Sequence, residues 1–110
     1  MGYDVILADR LREVLAGETA VTEKRMFGGL AFLVDGHLAV AASHAGGLLL
    51  RCDPERTEHY IARPEVSPFE MRGRELTGWL RVEAAAVDRD DDLRRWAGVG
   101  VEHARSLSPK

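Results

Sequence analysis

Hydrophobic residues near the start of the chain recur at the three- and four-residue spacing of a helix. Tyr3, Leu7, Leu11 and Leu15 fall on one stripe, and charged residues stand between them. Because an amphipathic helix buries such a stripe against a core, the pattern predicts a helix over Tyr3–Ala16.

The end of the chain carries a second helical pattern, and a shorter one lies near the middle. The apolar residues near the end share one helical face: Leu93, Trp96, Ala97, Val101 and Ala104. We expect Asp90 or Asp91 to cap this helix and Pro109 to lie beyond its end. In the middle, Asp53-Pro54 predicts a helix that starts with Asp as its cap and runs to about Ala62.

The segments between these helices have the composition of strands. Apolar strand patterns occupy Leu30–Val34, the residues from His37, Leu48–Arg51, Phe69–Met71 and Trp79–Val82. Asp35-Gly36 separates the first two, and it suits a two-residue type I′ turn because both central residues of that turn need positive φ. The turn predicts a register in which Leu33 faces Leu38 and Phe32 faces Ala39.

The order of these elements indicates an α+β fold. It runs helix, three or four strands, helix, two strands, helix, which describes an antiparallel sheet of about five or six strands packed by three helices. The 110 residues, 45% of them hydrophobic, match one domain spanning residues 1–110. Trp79 and Trp96 are expected to be core aromatics that pack together.

Both faces of the predicted hairpin are apolar. We expect one face of the sheet to carry the helices and the other to be covered by a later element or offered to a partner. Self-association into a homodimer is one way to bury that second face.

Charge and hydropathy argue against some classes of protein. The 15 basic and 18 acidic residues give a formal net charge of -3, so the chain as a whole does not attract phosphate backbones. No apolar segment approaches the roughly 20 residues that span a bilayer, and the N-terminus is too charged for a signal peptide. We expect a cytoplasmic protein with no membrane partner.

The most specific motif runs from Glu23 to Phe32 and reads Glu-Lys-Arg-Met-Phe-Gly-Gly-Leu-Ala-Phe. Its glycine pair lies where a bulge or tight bend lets one strand pass into the next. Together with the Asp35-Gly36 turn and with Gly78-Trp79 before a later strand, this motif resembles the N-terminal domain of the TfoX/Sxy family. The resemblance extends from the first helix through Trp96.

The resemblance implies a fold and a class of function. Full-length members carry this domain before a C-terminal domain, and the founding ones are bacterial regulators of natural competence that cooperate with the cyclic-AMP receptor protein. We therefore expect a stand-alone N-terminal domain that is regulatory or binds a protein partner, with the transcription machinery as a candidate. The family is not known for a catalytic residue set, so the resemblance implies neither enzyme activity nor a cofactor.

Candidate partner-binding residues lie in the motif and in one later turn. They are Lys24, Arg25, Met26, Phe27, Gly28, Gly29, Arg72 and Arg74. Two adjacent cations beside a glycine bend suit a phosphate or an acidic protein surface, and Arg72-Gly73-Arg74 is a small basic tip at a turn. The purely structural interpretation is that the cations are solvated, Met26 and Phe27 lie in the core, and the glycines serve backbone geometry.

Two other classes of function stay open. A nucleic-acid binder would make its contacts through Lys24, Arg25, Arg72 and Arg74, and its affinity would fall steeply with salt. A small-molecule-binding or enzymatic domain would use a pocket between the sheet and the helices.

The remaining reactive residues favour neither metal nor thiol chemistry. His37, His44, His59 and His103 lack the close spacing of a zinc site, so we expect no bound metal. Cys52 precedes a predicted helix start, which would lower its thiol pKa, although a cysteine at a strand end is more often a small, partly buried residue.

Overall fold

The computed structural model describes residues 3–26 and 28–109 of the chain. In these residues there are three α-helices, α1 (Val5–Val14), α2 (Thr57–Ile61) and α3 (Asp90–Ser106). The six described strands are β1 (Val21–Met26), β2 (Gly29–Val34), β3 (His37–Ala42), β4 (Leu48–Arg51), β5 (Val66–Met71) and β6 (Arg74–Val82). Four strands separate α1 from α2 and two separate α2 from α3, so the α+β prediction is confirmed.

The six strands form one antiparallel sheet in the order β1-β2-β3-β4-β6-β5. β1 and β5 are therefore its two edges. The β1 edge carries exposed charged residues, Glu23, Lys24 and Arg25, and the β5 edge contains Pro68, which has no backbone N–H. Charges and proline both discourage further strand pairing, so each edge resists extension by another chain.

The helices cover one face of the sheet, and the main hydrophobic core lies between them. Leu11 of α1 and Leu93 and Trp96 of α3 are at most 2% exposed. They belong to one cluster with buried residues of four strands: Phe32, Val40, Leu50 and Leu80. Burying a large apolar side chain contributes about 1.5–3 kcal/mol. This cluster therefore accounts for the placement of α1 and α3 on the sheet.

α1 begins later in the chain than the sequence pattern predicted, because Asp4 caps it. The Asp4 Oδ1 accepts hydrogen bonds from the backbone N–H groups of Ile6 at 2.9 Å and Leu7 at 3.1 Å. Tyr3 consequently precedes the helix, and the guanidinium carbon of Arg25 lies 5.6 Å from the centroid of its ring.

The prediction that Asp90 or Asp91 caps α3 is wrong. Arg89 occupies the N-cap position with φ -86° and ψ 140°, and its side chain makes no capping hydrogen bond. Asp90, Asp91 and Asp92 form the first helical turn, where the positive end of the helix dipole favours carboxylates. The three acids thus stabilise this end of the helix by their charge.

The helix predicted after Asp53-Pro54 is divided into a 3-10 turn, Pro54–Arg56, and the short α2. Asp53 Oδ1 accepts a hydrogen bond of 2.9 Å from the backbone N–H two residues later, which confirms it as the cap. The buried Thr57 hydroxyl donates to the Pro54 carbonyl and accepts from the Gly78 N–H, both at 2.8 Å. This hydroxyl joins the start of α2 to β6.

The hairpin between β2 and β3 has the predicted turn. Asp35 and Gly36 have φ values of 54° and 85°, both in the left-handed region that a type I′ turn requires. Leu33 pairs with Leu38 as expected.

The register changes just beyond that pair. Phe32 pairs with Val40 and not with Ala39, so the predicted pairing is wrong. Ala39 is the extra residue of a β-bulge, and both Ala39 and Val40 belong to the core on the helix side. The bulge therefore turns two consecutive residues of β3 toward the helices.

Candidate interaction face

The face of the sheet opposite the helices is also apolar, and we call it the second face. Its floor consists of residues at most 6% exposed: Ala31, Leu38, Ala41 and Leu49. Four half-buried residues pack around the floor: Met26, Leu33, Phe69 and Trp79. No helix in the described part of the chain contributes a side chain to this cluster.

A cleft lies on the second face between residues from both edges of the sheet. Met26 of the β1 edge and Phe69 of the β5 edge line the same space, whose volume is about 150 Å³. Ala41 and Leu49 of the buried floor line it too, and Arg81 supplies a charged group. Residues of both edge strands therefore meet on this face of the sheet. We refer to this space as the second-face cleft.

The glycine pair of the motif builds one end of the cleft. Gly28 has φ 75° in the β1–β2 turn, and a Cβ there would lie 3.2 Å from the ring of His44. A Cβ on Gly29 would lie 2.3 Å from the carbonyl oxygen of Ala42. Both glycines thus allow the β1–β2 turn to approach the end of β3 and the turn that follows it. The predicted tight bend at this pair is present, and it shapes the cleft.

Arg51 lies on the second face beside Trp79. The two residues pair across β4 and β6, and the Arg51 guanidinium carbon is 5.2 Å from the centroid of the Trp79 ring. The Nε of Arg51 is buried and has no hydrogen-bond partner among the described residues. The aromatic ring attracts the cation, while the Nε–H retains an unused hydrogen-bonding capacity.

Arg81 and Lys24 add two further cations to the second face. Arg81 pairs with Leu49 across β4 and β6, and Lys24 pairs with Ala31 across β1 and β2. Neither cation forms an ion pair within residues 3–26 and 28–109, whereas six other arginines do: Arg10, Arg12, Arg63, Arg94, Arg95 and Arg105. The second face therefore combines an apolar floor with unpaired positive charge.

The candidate residues of the motif lie around one corner of the second face. Met26 and Gly29 line the cleft, and Lys24 lies on the face itself. Arg25 is directed to the helix side of the sheet. Phe27, also a candidate, lies outside the described residues.

Arg72 and Arg74 are far from the motif along the sheet. Arg72 and Gly73 form the β5–β6 turn with φ values of 56° and 77°. The order and direction of the strands place this turn at the opposite edge and the opposite end from the β1–β2 turn. Lys24 and Arg25 therefore do not share one surface with Arg72 and Arg74.

Trp79 and Trp96 do not pack together, contrary to expectation. Trp96 lies in the main core with its ring centroid 5.7 Å from that of Tyr60. Trp79 lies on the second face with its ring centroid 5.9 Å from that of Phe69. The sheet separates the two tryptophans, because Trp79 points away from the helices.

Sequence reasoning predicted a second apolar face that a later element covers or a partner binds, but it named few of the residues that form this face. The available signal was the unbroken apolar runs of β2, β3 and β4, which put hydrophobic residues on both faces. Arg51 and Arg81 gave no such signal, since their position follows from the pairing of β4 with β6.

Cys52 is a buried structural residue. It is 1% exposed, and burial raises the pKa of its thiol, as the nearby Asp53 carboxylate also does, while the Thr57 hydroxyl acts in the opposite sense. A thiol with a raised pKa forms little of the nucleophilic thiolate at neutral pH. The helix start at Pro54 therefore does not activate it.

No group of three or more His, Cys, Asp or Glu side chains is placed to hold a metal ion in residues 3–26 and 28–109. Within the same residues, every helix is too short or too polar to traverse a bilayer.

Comparison with models of known protein families identifies a family for this chain. The family model described as the TfoX N-terminal domain matches residues 13–104, from within α1 to within α3. That span includes the glycine motif, the second face and the cleft. The curated proteins contain no match to this chain.

Proposed function

Because the chain belongs to the family of TfoX N-terminal domains, we propose that it is a regulatory domain without enzyme activity that binds a protein partner through its second face. The observation that carries this proposal is the apolar character of that face. Its outer residues, Met26, Leu33, Phe69 and Trp79, are only half-buried.

The composition of the second face favours a protein partner. Aromatic residues, methionine and arginine are enriched where proteins bind one another. All three occur here, with Arg51 over the ring of Trp79 and Met26 opposite Phe69 across the cleft. A partner that covers this face would remove apolar surface from water, and each Å² of apolar surface buried would stabilise the complex by roughly 25 cal/mol.

We propose that the partner belongs to the transcription apparatus and that the protein therefore works in the cytoplasm. The support is the family itself, whose founding members regulate competence together with the cyclic-AMP receptor protein. The absence of enzyme activity also rests on the family, which is not known for a catalytic residue set.

Direct nucleic-acid binding has less support than protein binding. The cations expected to make such contacts are divided between two distant turns of the sheet. Lys24 and Arg25 also point to opposite sides of the sheet, so a phosphate backbone on any one surface would make few contacts with these cations.

Site-specific photocrosslinking in cells of the source organism tests the proposal. A photoreactive amino acid replaces Leu33 on the second face in one variant, and the exposed Glu102 on α3 in a matched control. We expect position 33, and not position 102, to yield a crosslink to one defined protein of the transcription apparatus. Nuclease treatment before isolation should leave that product unchanged.

Three results would contradict the proposal. Equal products from positions 33 and 102 would mean that the second face is not the binding surface. A product lost on nuclease treatment would favour the direct nucleic-acid binder. A product containing two copies of this chain would assign the face to a homodimer.

A further inference from the structure

The second-face cleft has the size and lining of a small-molecule site. Its volume of about 150 Å³ is comparable to that of a protein cavity that accepts a benzene-sized molecule. Ala41 and Leu49 give it a buried apolar floor, and Met26 and Phe69 supply apolar walls from opposite edges of the sheet. Such a lining suits a compact apolar group.

One cationic group at the cleft has no partner in the described part of the chain. Arg81 lines the cleft and is half-buried, yet it forms neither an ion pair nor a hydrogen bond with any described residue. Its strand neighbours are Leu49 on β4 and Ser67 on β5, neither of which carries a charge. A half-buried guanidinium beside an apolar floor favours an incoming anion, because its charge is less screened than at an open surface.

The cleft is bounded by backbone contacts that hold its end in place. Gly29 lies against the Ala42 carbonyl, and the His44 ring lies against Gly28. The turn after β3 is closed by a hydrogen bond of 3.0 Å from the Ser43 N–H to the Gly47 carbonyl. A site formed before its ligand arrives loses less conformational entropy on binding.

We propose that this cleft binds a small monocarboxylate whose body is about the size of a benzene ring. The apolar body lies on Ala41 and Leu49 between Met26 and Phe69, and the carboxylate accepts hydrogen bonds from the Arg81 guanidinium. Two carboxylate oxygens match the paired N–H groups of arginine, and a single cation suits a single negative charge. A phosphate ion is more strongly hydrated than a carboxylate and has no apolar body, so it would make no contact with the apolar walls of the cleft. This inference does not depend on the proposed protein partner.

Benzoate is the probe, and NMR titration of the isotope-labelled protein is the measurement. We expect saturable shifts of the Ala41, Leu49 and Arg81 amide signals, with a dissociation constant on the order of 1 mM for so small a ligand. Benzyl alcohol keeps the ring but lacks the charge, and it should bind about tenfold more weakly because the charge-assisted hydrogen bonds are lost. This comparison uses the unaltered protein and so needs no variant to fold.

Two matched variants test the role of the arginine. Arg81→Gln should weaken benzoate binding about tenfold, since it removes the cation. Arg72→Gln removes an exposed arginine from the β5–β6 turn and should leave the affinity unchanged. The proposal is overturned if benzoate causes no saturable shift, if the shifts map to the helix side, or if benzoate binds equally well after Arg81→Gln in a protein with a native spectrum.

Discussion

Gly100 of α3 lies directly against the backbone of Ala39 in β3. A Cβ on Gly100 would be 2.1 Å from the Ala39 carbonyl oxygen, well inside any real contact distance. Ala39 is the extra residue of the bulge that displaces the β2–β3 register. The helix therefore crosses the sheet at the bulge, and only a residue without a side chain permits the close approach.

Gly100→Ala should destabilise the fold, while Gly98→Ala should stabilise it. The Gly100→Ala substitution would make a methyl group overlap the Ala39 carbonyl oxygen, and such overpacking costs about 1–3 kcal/mol. The second adds a methyl group in open space on an exposed helix position, which contributes about 0.5–1 kcal/mol of helix propensity. Urea unfolding of the two variants measures the difference. Stabilisation by both substitutions would mean that helix propensity alone decides the effect.

Local signals predicted the elements but not the bulge. Asp35-Gly36 determines its own turn, and the pairing of Leu33 with Leu38 follows from it. The bulge at Ala39 lies against Gly100, a contact with a residue distant in sequence that the hairpin's own residues do not reveal, and a register counted outward from the turn is wrong one residue later.

The candidate site shows the same division between local and distant information. The glycine motif indicated the corner that Met26 and Gly29 form. Placing Arg81 beside Leu49 required the pairing of β6 with β4, and the residues of these strands do not indicate that β6, and not the next strand in the chain, β5, lies beside β4. The distance of Arg72 from the motif likewise follows from strand order, not from composition.

Gly29→Ala should destabilise the protein through the corner of the cleft. The added Cβ would lie 2.3 Å from the Ala42 carbonyl oxygen, so β1–β2 must move away from the end of β3 at a cost of about 1–3 kcal/mol. Gly17→Ala is the matched control, because nothing lies within 4 Å of a Cβ at that position. Its stability should stay within about 0.5 kcal/mol of the original. Thermal unfolding compares the two, and equal midpoints would refute the contact.

The two tryptophans should differ in accessibility and in their contribution to stability. Trp79→Phe leaves Trp96 as the only tryptophan, in the main core and 2% exposed. Trp96→Phe leaves Trp79, half-buried on the second face. Acrylamide should quench the fluorescence of Trp79 more strongly than that of Trp96. Trp96→Phe should lower the free energy of unfolding by about 1–2 kcal/mol, which is more than Trp79→Phe should lower it. Equal quenching would argue that another element covers the second face in solution.

The stability of the fold should fall as the pH drops through the titration of His103. Its Nε2 is buried without a hydrogen-bond partner among the described residues, and burial lowers the imidazole pKa below its ordinary 6.5. The positive charge of Arg51 acts in the same direction, as does His37, while Asp53 opposes them. The folded state thus binds this proton less readily than the unfolded state, so the stabilisation is present above pH 6.5 and is lost as the pH falls toward the folded pKa.

His103→Gln removes the titrating group, and its urea-unfolding free energy should vary less between about pH 7.5 and pH 5 than that of the unaltered protein. Carboxylates whose pKa is lowered, such as Glu23 held by Arg12, titrate below that range and do not contribute. An identical pH dependence in both proteins would show that His103 is not the group responsible.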